Sequence, residues 1–202
     1  RFGFTYGALE SKDVDAAVRY LHQDKGIHRI GAIGHSAGAV SIILSAARNP
    51  LIGAVVAASP FNSMQEVWET NRPAIMPKPF LDLAIKLSEL RKGFTRGDIR
   101  PQDVISQISP RALLLVYGGE AKRITENQAM HLFEAAKEPK RMWLVQGATH
   151  AEVRNPVLDE LIQRIIAFFD DSFRSPSQSA RNYLNHERYE FPVYQFGKGT
   201  DF

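Results

Sequence analysis

Five residues, Gly34-His35-Ser36-Ala37-Gly38, constrain this chain more than any others. They follow a short run over 28–33 in which Ile30, Ala32 and Ile33 are apolar, and they open a stretch of small apolar residues from Ala37 to Ala47. Alone, a G-x-S-x-G pentapeptide is no more than a tight turn. Between those flanks it reads as buried strand, sharp turn and buried helix. Side chains two positions either side of the serine would clash in such a turn, so hydrogen is the substituent expected at both glycines. The turn lifts the Ser36 hydroxyl to the carboxyl end of a sheet, at the start of a helix whose dipole and free amides favour developing negative charge. Ser36 is therefore a candidate nucleophile and the Ala37 amide a candidate oxyanion donor.

Similar periodicities recur along the chain. From Ser11 onward, Val14, Ala17, Val18 and Leu21 fall at helical spacing, with Gly26 as the stop. Further buried strands are expected over 52–58, 112–116 and 141–145, the first closed by Ser59-Pro60 and the second by Gly118-Gly119. Between the last two, Thr125 and Gln128 form a capping-box signature ahead of Ala129, Leu132, Phe133 and Ala136. Asn155 and Pro156 then introduce a helix carrying Leu158, Leu161, Ile162, Ile165 and Phe169. Strands alternating with helices predict an α/β fold, a parallel sheet with helices on both faces.

Two regions depart from that rhythm. Residues 61–111 contain Pro73, Pro77, Pro79, Pro101 and Pro110 and one amphipathic helix near 80–90. A connection this long is expected either to cap a site or to be a surface insertion that never meets substrate. The tail, 172–202, starts polar and then interleaves Tyr183, Tyr189, Phe191, Tyr194 and Phe196, which predicts docking on the body or on a partner.

With 202 residues, 44% of them hydrophobic, the chain can bury one sizeable core. Its net charge of +3 comes from scattered Lys and Arg rather than a basic run, so no nucleic-acid partner is expected. The absence of cysteine excludes disulfides, thiolate metal sites and cysteine nucleophiles, and it suits reducing and oxidising compartments alike. Location stays open, with the cytoplasm as default, and because Arg1 rather than Met opens the sequence, a targeting segment can lie upstream. There is no H-E-x-x-H pair and no G-x-G-x-x-G opening a helix, so neither a metal nor an organic cofactor is expected. No apolar run approaches the roughly 18 residues of a membrane-spanning helix.

Gly7-Ala8-Leu9-Glu10 with Asp13, the stretch from Ile30 to Gly38, and Ala57-Ala58-Ser59-Pro60 together resemble the α/β-hydrolase superfamily in its prolyl-oligopeptidase-like and dienelactone-hydrolase-like branches. The resemblance resumes over 110–118 and at Gln146-Gly147-Ala148-Thr149-His150-Ala151-Glu152, and it includes neither the excursion nor the tail. It implies a triad in the chain order serine, acid, histidine. His150, in the loop after the last strand, matches the base that takes the serine proton and returns it to the leaving group. The other histidines fit less well: His22 and His131 fall in helices, His28 opens a strand, His186 lies in the tail, and His35 is expected to pack inside the turn.

The acid departs from the family pattern. An aspartate a few residues after the glycine that ends the third strand would fall on Ala121 or Lys122, and neither can orient an imidazole. Glu120 is the nearest carboxylate and takes the assignment, with Glu126 and Glu66 behind it. Without a paired acid the wrong histidine tautomer becomes accessible, and the rate falls by about 10⁴.

The family also draws a second oxyanion donor from a loop that, with about four strands, precedes the residue matching Gly7. The expectation is thus the C-terminal portion of an α/β-hydrolase fold, with 1–171 catalytic, 61–111 cap-like and 172–202 a tail. The strand at 28–33 would then stand at an open edge unless the tail covers it. The implied activity is hydrolysis of a small-molecule ester or acyl substrate through a Ser36 acyl-enzyme, with carboxylesterase the leading form. A peptidase or thioesterase shares that chemistry. The missing aspartate leaves open a catalytically weak or inactive binding protein.

Overall fold

The structure is a computed structural model that describes residues 3–70, 72, 75–119, 124, 126–149 and 158–174. Four strands, β1 (Ile30–His35), β2 (Ile52–Ala58), β3 (Ala112–Gly118) and β4 (Lys140–Val145), form one sheet in that order. Every neighbouring pair is parallel. The two inner strands are nearly continuous apolar runs because both of their faces are covered.

Alternation along each strand decides which layer a side chain joins. Val55, Ala57, Leu113, Leu115 and Tyr117 share one core with α1 (Glu10–Gln23), α2 (Ala37–Arg48) and α6 (Glu126–Ala135), through Val18, Ile43 and Leu132 among others. Ala54, Val56, Leu114 and Val116 point the other way, to Trp143 of β4 and to Leu161 and Phe168 of α7 (Leu158–Phe173). Gly31 and Gly53 lie beneath the same helix. A Cβ on them would stand 2.5 Å from the Phe169 ring and 2.7 Å from the Phe173 ring, so hydrogen at both positions lets α7 close on the sheet. Helices therefore cover both faces, as the strand–helix alternation predicts.

Strand ends differ from the sequence reading by about two residues. β1 begins at Ile30 and includes Gly34 and His35, which pair with Ala57 and Ala58. β3 runs on to Gly118 because Tyr117 and Gly118 pair with Leu144 and Val145. Thr125, Asn155, Pro156 and the tail aromatics from Tyr183 to Phe196 lie outside the described residues. β1 is the outermost strand at one side of the described sheet, and Ile33 on it is 57% exposed.

Between β2 and β3 the chain forms α3 (Met64–Thr70), α4 (Lys78–Lys92), a 3₁₀ turn at 96–98, the short α5 (Pro101–Val104) and a second 3₁₀ turn at 105–108. Ile99, Ile105 and Ile108 are fully buried and fix the return of this segment to the body. Arg111 locks the same corner by donating to the carbonyls of Ala46, Asn49, Ile52, Gln107 and Ile108. Burial draws the Arg111 guanidinium below its ordinary pKa, and the five carbonyls supply the acceptors that water would otherwise provide.

Candidate active site

Ser36 joins β1 to α2 with φ 54° and ψ −120°, a conformation that L-residues rarely adopt. Hydrogen bonds hold it there. Its amide donates to the Ala58 carbonyl at 2.8 Å, and its carbonyl accepts from the Val40 amide at 3.1 Å. A Cβ on Gly34 would stand 2.5 Å from the Gly38 carbonyl oxygen, so hydrogen is required there. The matching expectation for Gly38 fails: its Cβ would meet nothing within 4 Å, because that side of the turn opens into a cavity. Ser36 makes no side-chain capping bond to α2. Ala37 and Gly38 open that helix, so their amides have no acceptor within it.

The cavity over Ser36 has a volume of about 570 Å³. His35, Ser36, Ala37 and Gly38 form one side of it, and Phe4, Tyr6, Phe61, Met64, Val67, Trp68 and Ile124 supply an apolar, largely aromatic remainder. The Tyr6 ring meets Phe4 edge-on at 4.9 Å and Trp68 at 6.3 Å. Glu10 fixes the loop that carries Tyr6 by accepting from the Thr5 amide, the Thr5 hydroxyl and the Gly7 amide. Burial by itself raises the Glu10 carboxyl, but these hydrogen bonds outweigh it and leave the group below its ordinary pKa.

The residues singled out in the sequence divide into two sets. Ser36 and Ala37 stand together at the cavity, whereas His150 and Glu120 lie outside the described residues. The chain next to both can be followed. A Cβ on Gly118 would run into the carbonyls of Ala148 and Thr149, and the Gly119 amide donates to Val145 at 2.9 Å. The segments leading into positions 120 and 150 thus emerge at the carboxyl ends of β3 and β4, the same edge of the parallel sheet as Ser36. Glu66, a fallback acid, lines a separate depression with Ser63, Gln65, Glu69, Arg96 and Arg100, and one of its carboxylate oxygens is buried with no hydrogen-bond partner among the described residues. Glu126 is exposed at the start of α6. His35, expected to pack, is instead half-buried and lines the cavity beside Ser36.

The aromatic walls were not anticipated. Phe61, Met64, Val67 and Trp68 recur at helical spacing, a signal lost in a segment read mainly for its prolines.

The sequence profile of the prolyl oligopeptidase family matches residues 2–176. This chain belongs to the prolyl oligopeptidase family. Compared with curated proteins, the sequence has no match. Among solved structures, the esterase Pf2001 of Pyrococcus furiosus is similar with a TM-score of 0.65 and 21% identity over 84% of this chain and 65% of its own. The α/β hydrolase GrgF of Penicillium sp. sh18 gives 0.62 and 18% over 80% and 71%. Dipeptidyl peptidase 4 of Porphyromonas gingivalis gives 0.62 and 23% over 82% and 23%. This family member therefore has the α/β-hydrolase fold, and it spans about two thirds of the first two proteins and under a quarter of the third.

Proposed function

We propose that this chain is the catalytic part of a serine hydrolase that cleaves carboxylic esters through an acyl-enzyme on Ser36. The observation that carries the reading is the strained Ser36 turn opening beneath an apolar cavity. In this mechanism the Ser36 hydroxyl attacks the ester carbonyl while His150 accepts its proton. The Ala37 amide receives the oxyanion of the tetrahedral intermediate, and the alcohol leaves with the proton returned by His150. A water activated by the same histidine then attacks the acyl carbon and releases the carboxylic acid. Glu120 orients His150. Residues 61–111 act as the cap, and α3 contributes Met64, Val67 and Trp68 to the acyl-binding wall.

Membership of a peptidase family favours a second reading in which the leaving group is an amine and the other steps are unchanged. Hydrolysis of p-nitrophenyl esters and of aminoacyl p-nitroanilides, compared between the parent and Ser36→Ala, tests both. Ester turnover that falls by about 10⁶ in Ser36→Ala supports the proposal. Anilide turnover without ester turnover shifts the reading to a peptidase, and equal activity of the two proteins overturns both.

A further inference from the structure

Helix α4 turns an apolar stripe away from the body. Its inward side holds the buried Ile85, while Phe80, Leu83, Leu87 and Leu90 are 57–75% exposed and Ile75, just ahead of the helix, is 92% exposed. The spacing of 3, 4 and 3 residues aligns the four side chains in one row over about three turns. Charge is distributed unevenly around that row. Asp82 and Glu89 pair with Arg96 at 3.6 and 3.2 Å. Lys86, three residues after Leu83, and Arg91, four after Leu87, are exposed and form no ion pair among the described residues.

We propose that α4 is an interfacial helix that seats this face of the protein on an anionic lipid surface. The apolar row would enter the boundary between headgroups and acyl chains, and Lys86 and Arg91 would meet lipid phosphates and carboxylates. A second copy fits less well, because an antiparallel pair of such faces centred on the row brings Lys86 against its own copy. Fifteen residues make a helix of about 22 Å, so α4 lies in the plane of the surface, and no helix among the described residues is long and apolar enough to cross a membrane.

The docked helix would be tied to the Ser36 cavity at both ends. Leu81 and Ile85 share a depression with Trp68, which also lines that cavity. The Lys92 ammonium donates to the Phe4 carbonyl at 3.0 Å and lies 6.0 Å from the centre of the Tyr6 ring. An acyl substrate delivered from the lipid surface follows from this coupling together with the esterase reading; docking itself does not depend on that reading.

Co-flotation of the full chain with vesicles of phosphatidylcholine alone, and of equimolar phosphatidylcholine and phosphatidylserine, tests the docking. Binding is expected to the anionic vesicles and to be unchanged in Ser36→Ala, which separates it from hydrolysis. The pair Leu83→Gln and Leu87→Gln should lower partitioning at least about tenfold, and Lys86→Gln with Arg91→Gln about fivefold per cation. Circular dichroism should show both double variants folded. Absence of binding to anionic vesicles, or binding that survives both double variants, overturns the proposal. A dimer that Leu83→Gln with Leu87→Gln dissociates, without vesicle binding by the parent, assigns the stripe to a second copy instead.

Discussion

Helices α2 and α4 are both rich in large apolar side chains and end in opposite environments. Eight of the twelve residues of α2 are buried, whereas of the fifteen in α4 only Ile85 is. Composition separates them in part, since α2 carries one charged residue, Arg48, and α4 carries six. The neighbours separate them further: α2 packs on β1, β2, α1 and the 105–108 return, and its small buried residues Ala39 and Ala46 allow that close approach. Asp82, Glu89 and Lys92 of α4 join Arg96 and the Phe4 carbonyl at the helix margins, and among the described residues the outward apolar row stays 57–75% exposed. A helix gripped over most of its surface can hold the Ser36 turn in an unfavourable backbone conformation, because relaxing the turn would unpack the core. A helix gripped on one edge is free to present a surface.

Substitutions can break that contrast. Ile43→Ala, in the fully buried part of α2, should lower unfolding free energy by about 2–5 kcal/mol in urea titration. A loss under about 1 kcal/mol would mean that α2 is not the packed support described. Gly34→Ala should cost about 3 kcal/mol because the added methyl meets backbone, while Gly38→Ala should not destabilise and should act instead on substrate access, read as a change in KM. On α4, Leu87→Gln should change stability by no more than about 0.5 kcal/mol, and a larger loss would reveal packing of the outer row.

The smallest effect concerns acid pH at the Tyr6 loop. The Glu10 pKa is lowered by folding, so its stabilisation is complete above the ordinary carboxylate pKa and is lost as pH falls through the lowered value. Glu10→Gln should flatten that acid limb of stability against pH, and an unchanged limb would show that the Glu10 hydrogen bonds do not hold the loop.

Much of the architecture is legible in the sequence because both periodicities are strong there. The apolar runs at 52–58 and 112–116 need two covered faces, and the pentapeptide around Ser36 needs a strand before it and a helix after it. Three features were hidden. The open side of Gly38 depends on what α3 leaves vacant across the turn, which no local pattern encodes. The walls Phe4, Tyr6 and Trp68 come from segments far apart in sequence that meet only after folding. The outward row of α4 has the periodicity of a packed helix, and periodicity names a face without saying where it points.

The proposed hydrolysis requires Ser36 to be the acylated residue. Treating the folded full chain with a fluorophosphonate, followed by proteolysis and mass spectrometry, tests it most directly. One adduct is expected on the peptide containing Ser36, absent in Ser36→Ala and formed far more slowly in His150→Ala. An adduct on a different serine such as Ser59, or none at all, would contradict it and favour a binding protein built on the hydrolase fold.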